Sequence, residues 1–370
     1  MNDNEKMYDQ WLSIVNVSPR PAGSKNEQKV RELIKKAVLN EECTYVSQFF
    51  PYESWELMHF SGLMQEHPVK EQIKAYPAVG SSSGQDIKGY VERIGYTNIW
   101  DMYLWPRYGV FNTEGAVIAY ITSRPDGEAL SQTLLEEWKY PHLITGRATF
   151  LKWEAALENG EDIYVSFSLQ TKTVEKQDGE NICISLPGRK ENNLIIVGAH
   201  YDSMYNTRGA YDNASGVAIL LELIRRLKSL DLKANVKIVF FGSEELLLAG
   251  SNAYVQSISN TERNTLSLFL NIDGVGRGKI LERWSTIEAE QKLAYAKEQR
   301  KTLFPHSLVT VPPPPGSDHS PFVINGYDSI MLTINDQEII HTFKDEPSEE
   351  IYNNMKRVVT YVQYILENYT

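Results

Sequence analysis

Between residues 200 and 341 the chain places six acids and imidazoles: His200, Asp212, Glu244, Glu245, Asp273 and His341. They occur in the segments VGAHYDS, AYDNASGVA, FFGSEELLLAGS, FLNIDGVG and EIIHTF. A neutral imidazole is a common zinc ligand, and Asp202, two positions after His200, could accept the ring's second N–H and orient it. A carboxylate such as Asp212 has two oxygens and can bridge two metal ions about 3.5–4 Å apart. The adjacent pair Glu244 and Glu245 is the most informative. Two like charges placed side by side near an apolar stretch are unfavourable unless a cation or a proton neutralises one. One glutamate could then ligate metal while its neighbour handles the proton of an attacking water.

Singly, each of these residues has an ordinary structural explanation. His200 and His341 could be hydrogen-bonded loop histidines, and Asp212 an Asx turn or N-cap. The glutamate pair could open a solvated helix, where acids favour the positive end of the dipole, and Asp273 could be a turn residue. Jointly they form a ligand set. Two histidines and three carboxylates, one of them shared, give each of two zinc ions three protein ligands and leave a position for water.

Each site follows, or lies a few residues beyond, a strongly apolar run. NLIIVGAH (193–200), VKIVFFG (236–242), LSLFLNI (266–272) and SIMLTI (329–334) read as strands buried on both faces. Helical spacing recurs in SKNEQKVRELIKKAVL (24–39), with Ser24 as N-cap, in SGVAILLELIRRLKSL (215–230) and in the closing 349–369 segment. The expected fold class is α/β, a three-layer sandwich around a mixed, mostly parallel central sheet. Open sheets of that kind bind ligands beyond the carboxyl ends of their strands, so side chains from four strand ends can converge.

From about 56 to 165 the character changes to Trp, Tyr, Pro, Gly and short strands, with one amphipathic piece at 148–160 ending on Gly160. We expect a catalytic domain over 1–55 and 166–370 and a small inserted β-rich domain over 56–165. No repeat or low-complexity linker interrupts either.

The chain has 370 residues, a formal net charge of −11 and 42% hydrophobic residues. Its acidity argues against nucleic acid or an anionic membrane surface as partner, although most acidic proteins carry such charge for solubility alone. No run approaches the roughly 18 apolar residues of a membrane span. The beginning of the chain has no basic n-region followed by an apolar stretch, so no signal peptide is read. Cys43 and Cys183, far apart in strand-like contexts, suggest reduced structural thiols and a cytoplasmic setting.

In order, AH-x-D-S, DNASG, EE-x-x-x-x-GS, N-x-DGVG, SDHSPF (317–322) and I-H-T resemble the motifs of the co-catalytic dizinc aminopeptidases related to glutamate carboxypeptidase. The resemblance covers roughly 10–55 and 180–370, and 140–167 is similar to part of a protease-associated domain. It implies a metal-dependent exopeptidase acting on peptides, most readily an aminopeptidase, with two Zn2+ per chain or other divalent ions in their place. One metal would be held by His200, Asp212 and Asp273, the other by Asp212, Glu245 and His341. Glu244 would be the general base and Asp202 the residue orienting His200. Many members carry a tyrosine before the last histidine as an oxyanion donor. Here that residue is Ile340, which leaves Tyr205, Tyr211, Tyr327 or the metals themselves for the task.

The rival activities are a carboxypeptidase or dipeptidase, for which Arg208 could anchor the substrate carboxylate, and a catalytically inactive binding protein on the same fold. A glutaminyl-cyclase-like single-metal transferase fits less well, because His200 and Asp273 complete a second site. Side-chain preference and oligomeric state have no signature in the sequence.

Overall fold

A computed structural model describes residues 3–134 and 139–369. By their contacts these form two units, Met1–Tyr52 with Asp178–Asp336 and Phe343–Thr370, and Glu53–Gln177 with Gln337–Thr342.

The first unit is built on buried strands in the order Ser307–Thr310, Leu281–Ser285, Ser329–Ile334, Leu266–Val275, Lys190–His200, Ala234–Phe241 and the end of Tyr164–Leu186. The Lys190–His200 strand pairs in parallel with Ala234–Phe241 on one side and Leu266–Val275 on the other. Leu266–Val275 pairs in parallel with Ser329–Ile334, while the Leu281–Ser285 and Ile182–Leu186 pairings to this core are antiparallel. The sheet is therefore mixed and mostly parallel, and four of its central strands end on one edge. Ile195, Ile196 and Val197 are fully buried, as a strand covered on both faces requires.

Helices supply the covers. Ser215–Leu227 packs on the Lys190–His200 and Leu266–Val275 strands and against Glu349–Asn368 and Asp3–Val15. Val217, Leu220, Ile224 and Leu227 are essentially inaccessible, each worth about 1.5–3 kcal/mol of apolar burial. Another cluster joins Ile196, Phe241 and Phe269 to Tyr254, Val255 and Phe322 from the short helices Ala249–Ser257 and His319–Ile324. Phe269 and Phe322 stack with ring centroids 3.8 Å apart. Ser24 caps the helix Lys25–Asn40 by accepting the Glu27 N–H at 3.1 Å.

In the second unit, strands Gly84–Ile99, Tyr103–Phe111 and Val117–Ser123 form an antiparallel meander, and His142–Thr145 joins it in parallel. The helix Arg147–Glu158 covers it with Trp153, whose indole meets Tyr108 edge-on at 5.3 Å and donates to Gln65 Oε1 at 2.8 Å. The chain reverses after that helix at Gly160, whose φ of +73° suits glycine.

Two local expectations are corrected. Cys43 lies on no strand; it follows the helix Lys25–Asn40 in a turn before Val46–Phe60. The strand Leu266–Val275 does not stop at Ile272 but continues through Asp273, because a bulge in its pairing with Ser329–Ile334 absorbs the Asp-Gly pair.

Candidate metal centre

The carboxyl ends of the parallel strands deliver the side chains. His200 is the last residue of its strand, the two glutamates follow Phe241 by three and four residues, and Asp273 sits on the bulge. Asp212 lies in the irregular 210–214 turn before helix Ser215–Leu227. The helix-capping task expected of Asp212 falls to Asn213, whose Oδ1 accepts the Gly216 N–H at 2.9 Å. His341 stands on the 337–342 segment, which groups with the second unit although Asp336 and Phe343 at its two ends belong to the first.

Around His200 the distances are short. Its Nε2 lies 3.1 Å from Asp212 Oδ1, 3.2 Å from Asp273 Oδ1 and 4.0 Å from Glu244 Oε2. Its Nδ1 lies 3.5 Å from Asp202, the residue expected to orient it. Within the first unit, His200, Glu244 and Asp273 have ligand atoms within 4.8 Å of one another, and Asp212 and Glu245 do likewise. Asp212 thus stands beside Glu245 while touching the histidine of the other group. At His341, Nδ1 donates to the Ser131 carbonyl at 3.1 Å, which leaves Nε2 as the lone-pair nitrogen. The residue holds a left-handed φ of +53°, uncommon for histidine.

The backbone of the glutamate pair is pinned from below. Asp202, wholly buried, accepts the Glu244 N–H at 3.0 Å and the Glu245 N–H at 3.2 Å. Ser243, Leu247 and Leu248 all have φ near +58°, a strained path that takes the chain from strand to helix while turning the carboxyls inward. Neither glutamate opens a solvated helix; each is 8% exposed.

Burial drives the Glu244 carboxyl well above the usual carboxylate range, with Glu245, Asp273 and Asp318 pushing further and His200 opposing. Burial alone would lower the His200 imidazole, but Glu244, Asp273, Asp202 and Asp212 carry it well above its ordinary value. Such a concentration of buried carboxylates is expensive without a cation. An imidazole and several carboxylates, with Asp212 between His200 and Glu245, match the oxygen and nitrogen donors that zinc prefers.

The sequence profile of peptidase family M28 matches residues 181–366, half of the chain, which contain the four parallel central strands and all six of the acids and imidazoles singled out above. The chain is a member of that family. This M28 chain is 32% identical over 179 residues to aminopeptidase YwaD of Bacillus subtilis strain 168, covering 46% of this chain and 39% of the relative. An aminopeptidase of Pseudomonas aeruginosa is 33% identical over 102 residues, 28% of this chain and 19% of that one. The chain therefore spans two-fifths or less of the length of these relatives. In fold it resembles an aminopeptidase from Aneurinibacillus sp. strain AM-1, with TM-score 0.73, 20% identity and coverage of 99% of this chain and 94% of that one. It also resembles a peptidase M28 precursor from Shewanella amazonensis SB2B, with TM-score 0.79, 15% identity and coverage of 98% and 93%.

The M28 chain also holds contributors that sequence reasoning did not single out. Ser317 donates to Asp273 Oδ2, and Asn271 holds the Ser317 oxygen at 2.7 Å. Asp318 is fully buried, and burial raises its carboxyl to about 7. Both lie in the SDHSPF motif, so the signal was present but carried no role. Arg20 and Asp345 bind the backbone around Asp212, and nothing in their local sequence marks them.

Of the candidate oxyanion donors, Tyr211 adjoins Asp212 and its hydroxyl lies 3.4 Å from both Asn335 Oδ1 and the Asp336 nitrogen. Tyr327 packs against Phe322 in the apolar cluster. Ile340 packs into an apolar cluster of the second unit with Leu130 and Leu134. Arg208 Nη1 pairs with Glu346 at 2.7 Å and Nη2 donates to Asn16 at 3.0 Å, with the side chain 40% exposed.

Proposed function

We propose that this M28 chain is a metal-dependent aminopeptidase with two zinc ions, acting on the free amino end of peptides. The observation that carries the reading is Asp212, whose carboxylate stands 3.1 Å from His200 Nε2 and offers a ligand atom within 4.8 Å of one on Glu245. His200, Asp212 and Asp273 would hold one ion, and Asp212, Glu245 and His341 the other.

Zinc so bound would supply Lewis acidity, polarising the scissile carbonyl and acidifying the attacking water. The chain's own residues do the rest. Glu244 takes the proton from water as its oxygen adds to the carbonyl carbon, and returns it to the nitrogen as the C–N bond breaks. Asp202 keeps the Glu244 and Glu245 backbone in register with His200. The surrounding carboxylates favour a substrate ammonium over a carboxylate.

The carboxypeptidase alternative has less support, because Arg208 already pairs with Glu346. The substrate polarity decides between them. With zinc-replete protein, N-acetylation of a dipeptide should abolish cleavage while C-terminal amidation is tolerated, and Arg208→Ala should change little. A site matched to a charged group rejects the analogue lacking it. Cleavage of acetylated substrates with refusal of amidated ones would move the assignment to a carboxypeptidase.

We read residues 56–165, which lie within the second unit, as the protease-associated-like insertion and the compartment as cytoplasmic. Both cysteines are free thiols, and burial pushes Cys183 up to about 12, far from reactive. Among the described residues no helix is long and apolar enough to cross a membrane.

A further inference from the structure

The irregular segment 201–212 is buried between a strand end and a helix, with little ladder pairing of its own, so its peptide groups need partners from elsewhere. Residues distant in sequence supply them. Arg20, 0% exposed, donates from Nε to the Tyr201 carbonyl at 2.8 Å, from Nη1 to Arg208 at 2.7 Å and from Nη2 to Gly209 at 2.8 Å. Its backbone adds two more links, to Ser203 Oγ and from the Ser203 N–H, both at 3.3 Å. Beyond them, Asp345 accepts the N–H groups of Tyr211 at 2.6 Å and of Asp212 itself at 3.1 Å.

Carbonyls before Asp212 are thus held by a cation, and the amides at Asp212 by an anion. Gly209 confirms how closely the guanidinium sits: its φ is +58°, and a Cβ there would come within 2.8 Å of Arg20 Nη2. Four carboxylates (Asp345, Asp202, Asp212 and Glu245) act on the Arg20 charge, yet these three guanidinium hydrogen bonds go to carbonyls. A fork with donors in three fixed directions suits that task, and a lysine could not reproduce it.

We propose that Arg20 and Asp345 are positioning residues that fix the Asp212 backbone, and through it the carboxylate shared by the two metal groups. The inference rests on the dizinc reading of Asp212. Neither residue touches metal or substrate, so the expected cost is the 10–100-fold loss of metal affinity typical of partners that orient a ligand.

The test uses the full chain with Arg20→Lys and Asp345→Asn, read by zinc competition against a chelator, by stoichiometry, and by kcat and KM at saturating zinc. Melting of the metal-free proteins reports folding. Zinc should bind at least ~10-fold more weakly in each variant that folds, with kcat lowered and KM nearly unchanged. A residue that merely braces the fold would lower the melting temperature and leave zinc affinity as in the wild type, and that result overturns the proposal. Should Arg20→Lys fail to fold, the isosteric Asp345→Asn carries the test alone. A wild-type chain that binds no zinc would sink the dizinc reading and this inference together, whereas two tight ions in wild type and variants alike would sink the inference only.

Discussion

Asp202 accepts the Glu244 N–H at 3.0 Å while lying 3.5 Å from His200 Nδ1. One buried carboxylate thus pins the backbone of the proposed base and lies beside the imidazole of a proposed ligand, which we propose it orients. The sequence suggested only the second of these tasks, because the link to Glu244 spans 42 residues.

Glu244→Gln should retain both ions and lower kcat by at least ~10²-fold, the usual worth of a general base. The amide preserves shape and the backbone bond to Asp202 but cannot take a proton. Elemental analysis beside steady-state kinetics checks both halves, and turnover at the wild-type rate would place the proton path elsewhere.

Zinc-replete protein should approach two ions per chain. His341→Ala should lose one preferentially, since His200, Asp212 and Asp273 still serve the other. Equal loss of both, measured by elemental analysis after gel filtration, would contradict separate groups.

Glu27 should make stability depend on pH. Burial raises its carboxyl to about 7, against the opposing Arg31 at 3.5 Å. The folded state therefore holds this proton more tightly than the unfolded chain does. Stability from this residue is fullest below the unfolded value, near 4.5, and is lost as pH rises through about 7. Denaturant titrations of the metal-free protein should show a shallower fall over that window in Glu27→Gln; an unchanged slope would remove Glu27 as its source.

The legible parts of the molecule were those written in local pattern. Apolar runs such as 193–200 announced buried strands, and the helices expected at 24–39, 215–230 and 349–369 appeared where periodicity placed them, because each buries a face that its own sequence declares. The acids and imidazoles followed, since strand ends are where such sheets bind ligands. What escaped was fixed by tertiary contact. The bulge at Asp273 depends on the partner strand, and the left-handed turns at Ser243 and His341 have no glycine to flag them. Arg20 sits among prolines in SPRPAGS with no charged neighbour to suggest a role. The anchoring of Ile340 in an apolar cluster likewise depends on residues more than 200 positions away.

The segment recognisable as M28, residues 181–366, carries every proposed ligand, yet the partner of three carbonyls in its 201–209 loop is Arg20. Trp11, also upstream, donates to the Ala210 carbonyl at 2.8 Å. A fragment cut at the recognisable boundary would thus be chemically complete and architecturally unfinished. It would own the ligands but not the scaffolding that aims one of them, so the smallest autonomous form of this centre is larger than the stretch by which it is identified.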